Sequence, residues 1–194
     1  LKKSWQLEFF GSPLVADNAS GVAELSEEEQ KAAAKAERDK LRRRLMLKSM
    51  LQEAENAFRD GLYNEAVKLF QGVYAQGKAD SGEFDEHLEP LAMQAMFRAA
   101  DVLYTMLERS RGNNHHRSID AFKTAVRIVE MNQKPDADEN SSSLESFIPH
   151  AKFRIARSYQ KMQFHSEASQ YFEQLRQQFP NSMEAVEAIF WKAV

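Results

Sequence analysis

Histidines are the side chains of this sequence best suited to bind a metal ion or to transfer protons. His115 and His116 are adjacent, so on a helix they would point about 100° apart and not chelate one ion as an i, i+4 pair does. His87, His150 and His165 are isolated in the sequence. We therefore expect loop or surface histidines and no metal site.

Other residue patterns that carry catalysis are also missing. The sequence has no cysteine, which excludes thiolate metal ligands, cysteine nucleophiles and disulfides. No G-x-S-x-G motif presents a serine nucleophile, and no glycine-rich loop is followed by Lys-Ser or Lys-Thr as phosphate binding requires. The many carboxylates fit the solvated faces of charged helices. We expect a protein that is not an enzyme and that has no cofactor.

One cluster of cations has the chemistry to bind nucleic acid or an acidic protein. Its members are Arg38, Lys40, Arg42, Arg43, Arg44 and Lys48. Glu37 and Asp39 interleave the cluster, and no aromatic residues accompany it to stack on bases. The formal net charge of −3 gives no further indication of a polyanionic partner. We interpret the cluster as a solvated helix face or a docking strip for an acidic protein, and expect no nucleic-acid partner.

The composition favours helix almost throughout the 194 residues, since only 7 Gly and 5 Pro interrupt the chain. That length fits one domain. No apolar run approaches the ~18 residues that cross a bilayer, so no membrane span is expected. Both ends look truncated, because the chain starts at Leu1 and stops within the apolar pattern "AIFWKAV". The sequence therefore does not determine the cellular compartment, since an export signal can have been removed.

Residues 1–25 differ from the rest of the chain. Trp5, Leu7 and Phe9 alternate with polar residues, and a Gly-Ser-Pro turn closes this strand-like pattern. We predict an extended arm over 1–25, which either lies on a hydrophobic groove of its own domain or pairs with another chain.

A long helix is predicted to begin after Ser26. Ser26 and Glu29 form a capping box, in which each side chain bonds the other residue's backbone amide. Without Gly or Pro before Gly61, the helix should run for ~30 residues. Its first half, 26–46, is polar. Its second half carries an apolar stripe at helical spacing, made of Leu47, Met50, Leu51, Ala54, Ala57 and Phe58.

Helix pairs follow, and segments rich in turn formers at 77–90, 109–118 and 132–146 are interpreted as linkers or inserts. The third pair has the clearest packing pattern. Ala156 and Ala168 are the small residues of its two helices. Tyr159 and Phe172 are the matching aromatics, and Pro180 ends the second helix. Small side chains opposite bulky ones let two helices cross closely, and proline cannot continue a helix.

This pattern resembles the tetratricopeptide repeat (TPR) family, because Ala156, Ala168 and Pro180 stand at that family's intervals. The first copy matches through Ala54, Gly61, Tyr63, Ala66 and Phe70, with Lys78 in the proline position. The second departs most, since Ala100 and Ser118 stand farther apart than Ala156 and Ala168. The spacing between copies also exceeds the family period of about 34 residues, so extra residues must loop out or lengthen the helices.

The resemblance implies an all-α fold, an α-solenoid of antiparallel helix pairs. We expect about three divergent TPR-like repeats plus the long N-terminal helix, in a helical domain over 26–194. The repeats are placed roughly at 47–78, 91–131 and 149–181, with the start of a further helix pair at 183–194.

In this family, the first helix of each pair lines a concave groove that binds segments of partner proteins. By phase, the lining residues here are Leu51, Glu55, Phe58, Phe97, Asp101, Tyr104, Phe153, Arg157 and Gln160. The alternative is that some of them, Phe97 and Phe153 above all, form the core between adjacent repeats.

The sequence thus predicts a non-catalytic scaffold that binds a protein partner, whose identity it does not give. The ending at 177–193 further resembles TPR proteins of the bacterial envelope, such as outer-membrane assembly lipoproteins. That likeness implies complex assembly in the periplasm or at the outer membrane, with the cytoplasm as the alternative. The second functional hypothesis is a structural subunit that assembles through the arm 1–25 and the helix 26–46. A homo- or hetero-oligomer fits either hypothesis.

Overall fold

The computed structural model describes residues 26–78, 88–110, 112, 114–132 and 146–192. All seven regular elements among them are α-helices: α1 (Glu27–Arg59), α2 (Tyr63–Gln76), α3 (Glu89–Arg109), α4 (His116–Asn132), α5 (Phe147–Lys161), α6 (His165–Gln178) and α7 (Met183–Lys192). The all-α helical repeat fold expected from the sequence is confirmed. The predicted arm 1–25 lies outside the described residues, and the repeat boundaries stay a prediction.

The chain divides into two compact units between Glu37 and Arg38. In the described part of the first unit, 26–37, the predicted capping box is confirmed. The Ser26 amide and hydroxyl donate to the Glu29 carboxylate at 2.8 and 3.0 Å, and the Glu29 amide donates to the Ser26 hydroxyl at 3.3 Å. These hydrogen bonds lower the pKa of Glu29.

The second unit, described by itself, stacks its helices in chain order. Helix α2 packs on α3, α4 packs on both α3 and α5, and α6 packs on both α5 and α7. The first helices of successive pairs also touch directly, α3 against α5 and α5 against α7. Each second helix therefore bridges its own pair and the next one.

Small residues stand where the helices pack. Ala54, Ala66, Ala100 and Ala156 are completely buried, and Ala168 is 3% exposed. Large aromatic rings fill the space beside them, and Phe70, Phe122 and Phe172 are each at most 1% exposed. Close approach brings the apolar sides of the helices into contact. The apolar surface removed from water stabilises the fold by about 25 cal/mol per Å².

The wider spacing between Ala100 and Ser118 comes from a longer α3 and a longer turn after it. Helix α3 ends at Arg109, nine residues after Ala100, whereas α5 ends at Lys161, five residues after Ala156. Residues 110–115 then separate the second pair's helices, against 162–164 in the third pair. The predicted linkers are correspondingly too long. Helix α3 starts at Glu89, inside the predicted segment 77–90, and α4 starts at His116, inside 109–118.

Pro180 follows the end of α6, where the sequence pattern placed it. Helix α6 ends at Gln178, and the Phe179 amide still donates to the Leu175 carbonyl at 2.9 Å. The hydroxyl of Ser182 then accepts a hydrogen bond from the Ala185 amide at 3.1 Å, which caps the first turn of α7. The turn therefore starts a further helix that packs against α5 and α6.

His115 lies in a loop, as one of the two expected settings for the histidines, but it is not at the surface. It precedes α4 but is only 1% exposed, with its ring 5.6 Å from that of Tyr104. Its Nδ1 has no hydrogen-bond partner among the described residues. Burial lowers the pKa of His115, and the Lys161 ammonium lowers it further, against smaller opposing effects of Glu108 and the Gly112 backbone.

Alanine substitution should have opposite effects on stability at two glycines, one within α2 and one directly after it. A Cβ at Gly77 would lie 2.5 Å from the Ala92 Cβ, whereas a Cβ at Gly72 would meet the Met50 Cε at 3.6 Å. We expect Gly77→Ala to destabilise by about 1–3 kcal/mol through overpacking. Gly72→Ala, its matched control, should stabilise α2 by about 0.5–1 kcal/mol, because alanine restricts the unfolded chain. Chemical denaturation measures both, and equal effects would contradict the tight approach at Gly77.

Stability should fall as the pH drops below neutral because of His115. Its pKa in the folded protein is below the ordinary value of 6.5, so the unfolded chain takes up the proton first as pH falls. The contribution of neutral His115 is complete above pH 6.5 and is lost as the pH falls from there toward the lowered pKa. We expect His115→Phe to flatten the dependence of the unfolding free energy on pH between about 7 and 5. If the unfolding free energies of the two proteins depend on pH in the same way, the pKa of His115 does not differ between the folded and unfolded states.

Candidate protein-binding face

Side chains from the first helices of the pairs, α1, α3 and α5, and from α7 meet in one series of contacts. We name this surface the A-helix face. Its members are Glu55, Phe58, Arg98, Asp101, Tyr104, His150, Arg154, Arg157, Glu184 and Trp191.

The nine residues predicted to line the groove divide into two groups. Six are partly exposed: Leu51, Glu55, Phe58, Asp101, Arg157 and Gln160. Phe97, Tyr104 and Phe153 are only 2%, 1% and 8% exposed. The Phe97 ring stacks on Phe147 at 5.3 Å, and the Phe153 ring lies 6.0 Å from Phe172. For the three buried residues the structure corrects the lining prediction in favour of the core alternative, and a binding role of the other six stays a prediction.

A bidentate ion pair links α1 to α3. The Arg98 Nε and Nη2 atoms donate to the two carboxylate oxygens of Glu55, each at 2.6 Å. Both side chains are about three-quarters buried, with 29% and 26% exposed. The hydrogen bonds to Glu55 raise the pKa of Arg98, against the opposing effect of burial. This geometry uses the planar fork of arginine and holds both side chains in one conformation.

Asp101 links α3 to α5. Its carboxylate is 3.7 Å from Arg98 Nη1, 3.4 Å from Arg154 Nε and 2.9 Å from His150 Nε2. The other ring nitrogen of His150 is 3.8 Å from Glu184 on α7. Acidic and basic side chains therefore alternate along the face from α1 to α7.

Three arginines of the face lie over aromatic rings of a neighbouring first helix. The guanidinium carbon of Arg98 is 5.4 Å from the Phe58 ring centroid, and that of Arg154 is 4.5 Å from the Tyr104 centroid. Arg157 is closest, at 3.3 Å from the Trp191 centroid. Such cation–π contacts contribute about 0.5–2 kcal/mol each.

Tyr104 connects this face to the core. Its hydroxyl donates to Glu108 at 3.0 Å, and Lys161 of α5 forms an ion pair with the same carboxylate at 2.9 Å. Burial and the nearby Glu108 charge raise the pKa of Tyr104 to about 12. Partial burial acts to raise the pKa of Glu108, but hydrogen bonds from Lys161 and Tyr104 outweigh it, and that pKa is lowered.

Arg157 differs from the other cations of the face. Its Nη1 donates to Gln160 at 2.6 Å, and Gln160 in turn donates to the Trp191 carbonyl at 3.2 Å. Within the described residues no carboxylate forms an ion pair with it, whereas Arg98, Arg154 and Lys161 each have one. Arg157 is therefore held in place while part of its donor capacity stays open.

Sequence reasoning missed half of the face: Arg98, His150, Arg154, Glu184 and Trp191. A signal was present in the aligned helices, because Arg98 and Arg154 directly follow the matched Phe97 and Phe153. When the aromatic residue is core, the residue after it lies about 100° round the helix and reaches the neighbouring first helix. The prediction placed the surface at the aromatic instead.

Among the described residues no three His, Asp or Glu side chains are grouped to hold a metal ion. Nor does any described helix have the length and apolar character needed to cross a membrane.

The Glu55–Arg98 pair should contribute measurably to stability. We expect a double-mutant cycle with Glu55→Gln and Arg98→Met to give a coupling of about 1 kcal/mol, reduced from a fully buried pair because solvent reaches both groups. The control is the Glu27–Lys31 pair, which is 3.8 Å long and 79–90% exposed, and whose coupling should be near zero. Chemical denaturation supplies the free energies, and equal couplings would show that the bidentate geometry adds nothing.

Comparison with known proteins identifies part of the chain. A model of the tetratricopeptide repeat family matches residues 150–182, which contain most of α5, all of α6 and the turn after it. Searches of curated proteins and of solved structures gave no match. Nothing in these comparisons supports the narrower likeness to bacterial envelope proteins, which stays a prediction from 177–193. Residues 150–182 thus form a TPR-type repeat, a kind of repeat that in general serves in protein–protein interaction and not in catalysis.

Proposed function

We propose that this protein is a non-catalytic scaffold whose A-helix face binds a segment of a partner protein. The observation that supports it most is Arg157, a partly exposed guanidinium fixed on the Trp191 ring without an ion pair to any described carboxylate. The Arg157 side chain loses its conformational entropy when the protein folds, so that little more is lost when a partner binds. The binding of an acidic group is then more favourable.

The partner segment should carry an acidic residue next to apolar ones. A carboxylate can pair with Arg157, and apolar side chains can contact the partly exposed Phe58, Leu51 and Trp191. Arg98 is not the anchor, because Glu55 and Asp101 already occupy its donors. The alternation of charges along the face favours a segment whose own charges alternate and thereby sets its register.

The envelope context rests only on the likeness of 177–193 and is proposed on that basis alone. The alternative function is a structural subunit that assembles through 1–25 and the helix 26–46. It is favoured by the long polar first half of α1, whose residues 38–46 are all exposed.

The test is cross-linked affinity capture from the native cell with the whole chain, comparing Arg157→Glu with Arg127→Glu. Arg127 is an exposed arginine on α4, a second helix, so its reversal makes the same charge change away from the A-helix face. We expect Arg157→Glu to reduce recovery of the main partner at least about tenfold, as loss of an interfacial charge pair does. Arg127→Glu should change it little. Thermal melting of both variants checks that they fold.

A third variant separates the two functional hypotheses. Deleting 1–25 should leave capture through the A-helix face intact. If that deletion abolishes capture while Arg157→Glu does not, the structural-subunit alternative holds and the scaffold proposal fails.

A further inference from the structure

We propose that the outer side of α1 between residues 38 and 48 is a second docking surface, which binds an acidic amphipathic helix of a partner protein. We name it the basic-leucine strip. Its members are Arg38, Leu41, Arg42, Leu45 and Lys48. None of them belongs to the A-helix face, so this inference is independent of the function proposed above.

Helix geometry places these five residues on one side of α1. Arg38, Leu41, Leu45 and Lys48 follow each other at intervals of three or four residues. Arg42 stands four residues after Arg38 and three before Leu45. Residues at these intervals are neighbours on a helix surface. Arg38 and Arg42 border the two leucines on one side, and Lys48 borders them on the other, at about 100° per residue. The strip is therefore an apolar centre between cations.

The strip is open to solvent over its whole length. Every residue from 38 to 46 is exposed, and Leu47 is the first buried residue of the helix. Leu41 is 59% exposed and Leu45 58% exposed. The core side of α1, with Leu47 and Ala54, points away from the strip, and α2 packs on that side. The two leucines, one helical turn apart, thus form an apolar surface that no other described residue covers.

The chemistry of the strip selects its occupant. Cations on both sides of the leucines require carboxylates on both sides of an apolar ridge, which an amphipathic acidic helix supplies at the same three- and four-residue spacing. A nucleic acid would use the cations, but would leave the leucines uncovered and find no aromatic ring to stack on. A lipid surface favours a helix whose apolar and charged residues lie on opposite sides, and here they share one side. Charge and apolar complementarity together favour the acidic helix.

The test uses the whole chain and three synthetic helical peptides as probes. The first has glutamates flanking two leucines one turn apart, the second has serines in place of the leucines, and the third has lysines in place of the glutamates. Binding is measured by fluorescence anisotropy at about 0.15 M salt, where longer-range charge effects are screened. Vesicles of phosphatidylcholine with phosphatidylserine, and a duplex DNA, are tested in the same way.

We expect the acidic leucine peptide to bind at least about tenfold more tightly than either of the other two, since both the ridge and the charges are needed. Leu41→Ser with Leu45→Ser should weaken it about tenfold or more, and so should Arg38→Glu with Arg42→Glu. The charge-reversed protein should instead prefer the lysine peptide. Arg43→Glu is the matched control, because Arg43 is exposed but is not three or four residues from any member of the strip, and so lies on the other side of α1.

All these variants change exposed residues, so their circular dichroism and melting should match the parent. The proposal is overturned if the serine peptide binds as well as the leucine peptide, or if Arg43→Glu weakens binding as much as Arg38→Glu with Arg42→Glu. It is also overturned if vesicles or DNA bind the strip more tightly than the acidic peptide, or if no probe binds.

Discussion

The close packing of helices at alanines is the constraint on which the second unit depends. Ala54, Ala100 and Ala156 are fully buried at matching places of three first helices. Their small side chains let the neighbouring helix approach closely, and the adjacent aromatic rings then fill the remaining space. In the second helices the matching place holds Ala66, Ala168 and, in α4, Ser118, which is also fully buried with its hydroxyl 3.4 Å from that of Ser158. The small volume of the side chain matters more at these positions than its polarity.

This packing sets the distances between the first helices. Those distances determine which charged side chains of the A-helix face can form ion pairs. Glu55 on α1 reaches Arg98 on α3, and Asp101 on α3 reaches Arg154 on α5, so the same relation recurs in two successive pairs. The acid follows the buried alanine of one helix, and the arginine stands two residues before the buried alanine of the next. A change in helix spacing of a few ångströms would separate both ion pairs. The face thus depends on the core beneath it, and its charges add register to the stacking of the helices.

The sequence predicted the helical repeat fold because that information is local and periodic. The capping box at Ser26 and the stripe from Leu47 to Phe58 are read directly from residue spacing, and both are present. The A-helix face was predicted less well, since Arg98, Arg154 and Trp191 are defined by which neighbouring helix they meet. Helix pitch alone gives the direction of a side chain but not the separation of the next helix. For the same reason no pattern indicated that His115 would be buried, because its burial depends on Tyr104 of the preceding helix.

The two surfaces differ in how rigidly they hold their cations, and this implies different roles in binding. Arg157 lies on the Trp191 ring and donates to Gln160, so little of the roughly 2 kcal/mol of arginine rotamer entropy remains to be lost on binding. A fixed guanidinium accepts a carboxylate only in a narrow range of positions and therefore contributes to specificity. Arg38 and Arg42 are exposed and extend from one helix into solvent, where their charges act on an approaching acidic group from any direction within about 8 Å. Such charges accelerate encounter with acidic partners in general, and the exposed Leu41 and Leu45 between them then restrict binding to a partner with an apolar ridge. In the two proposals taken together, the protein gathers an acidic partner at α1 and discriminates among its segments at the A-helix face.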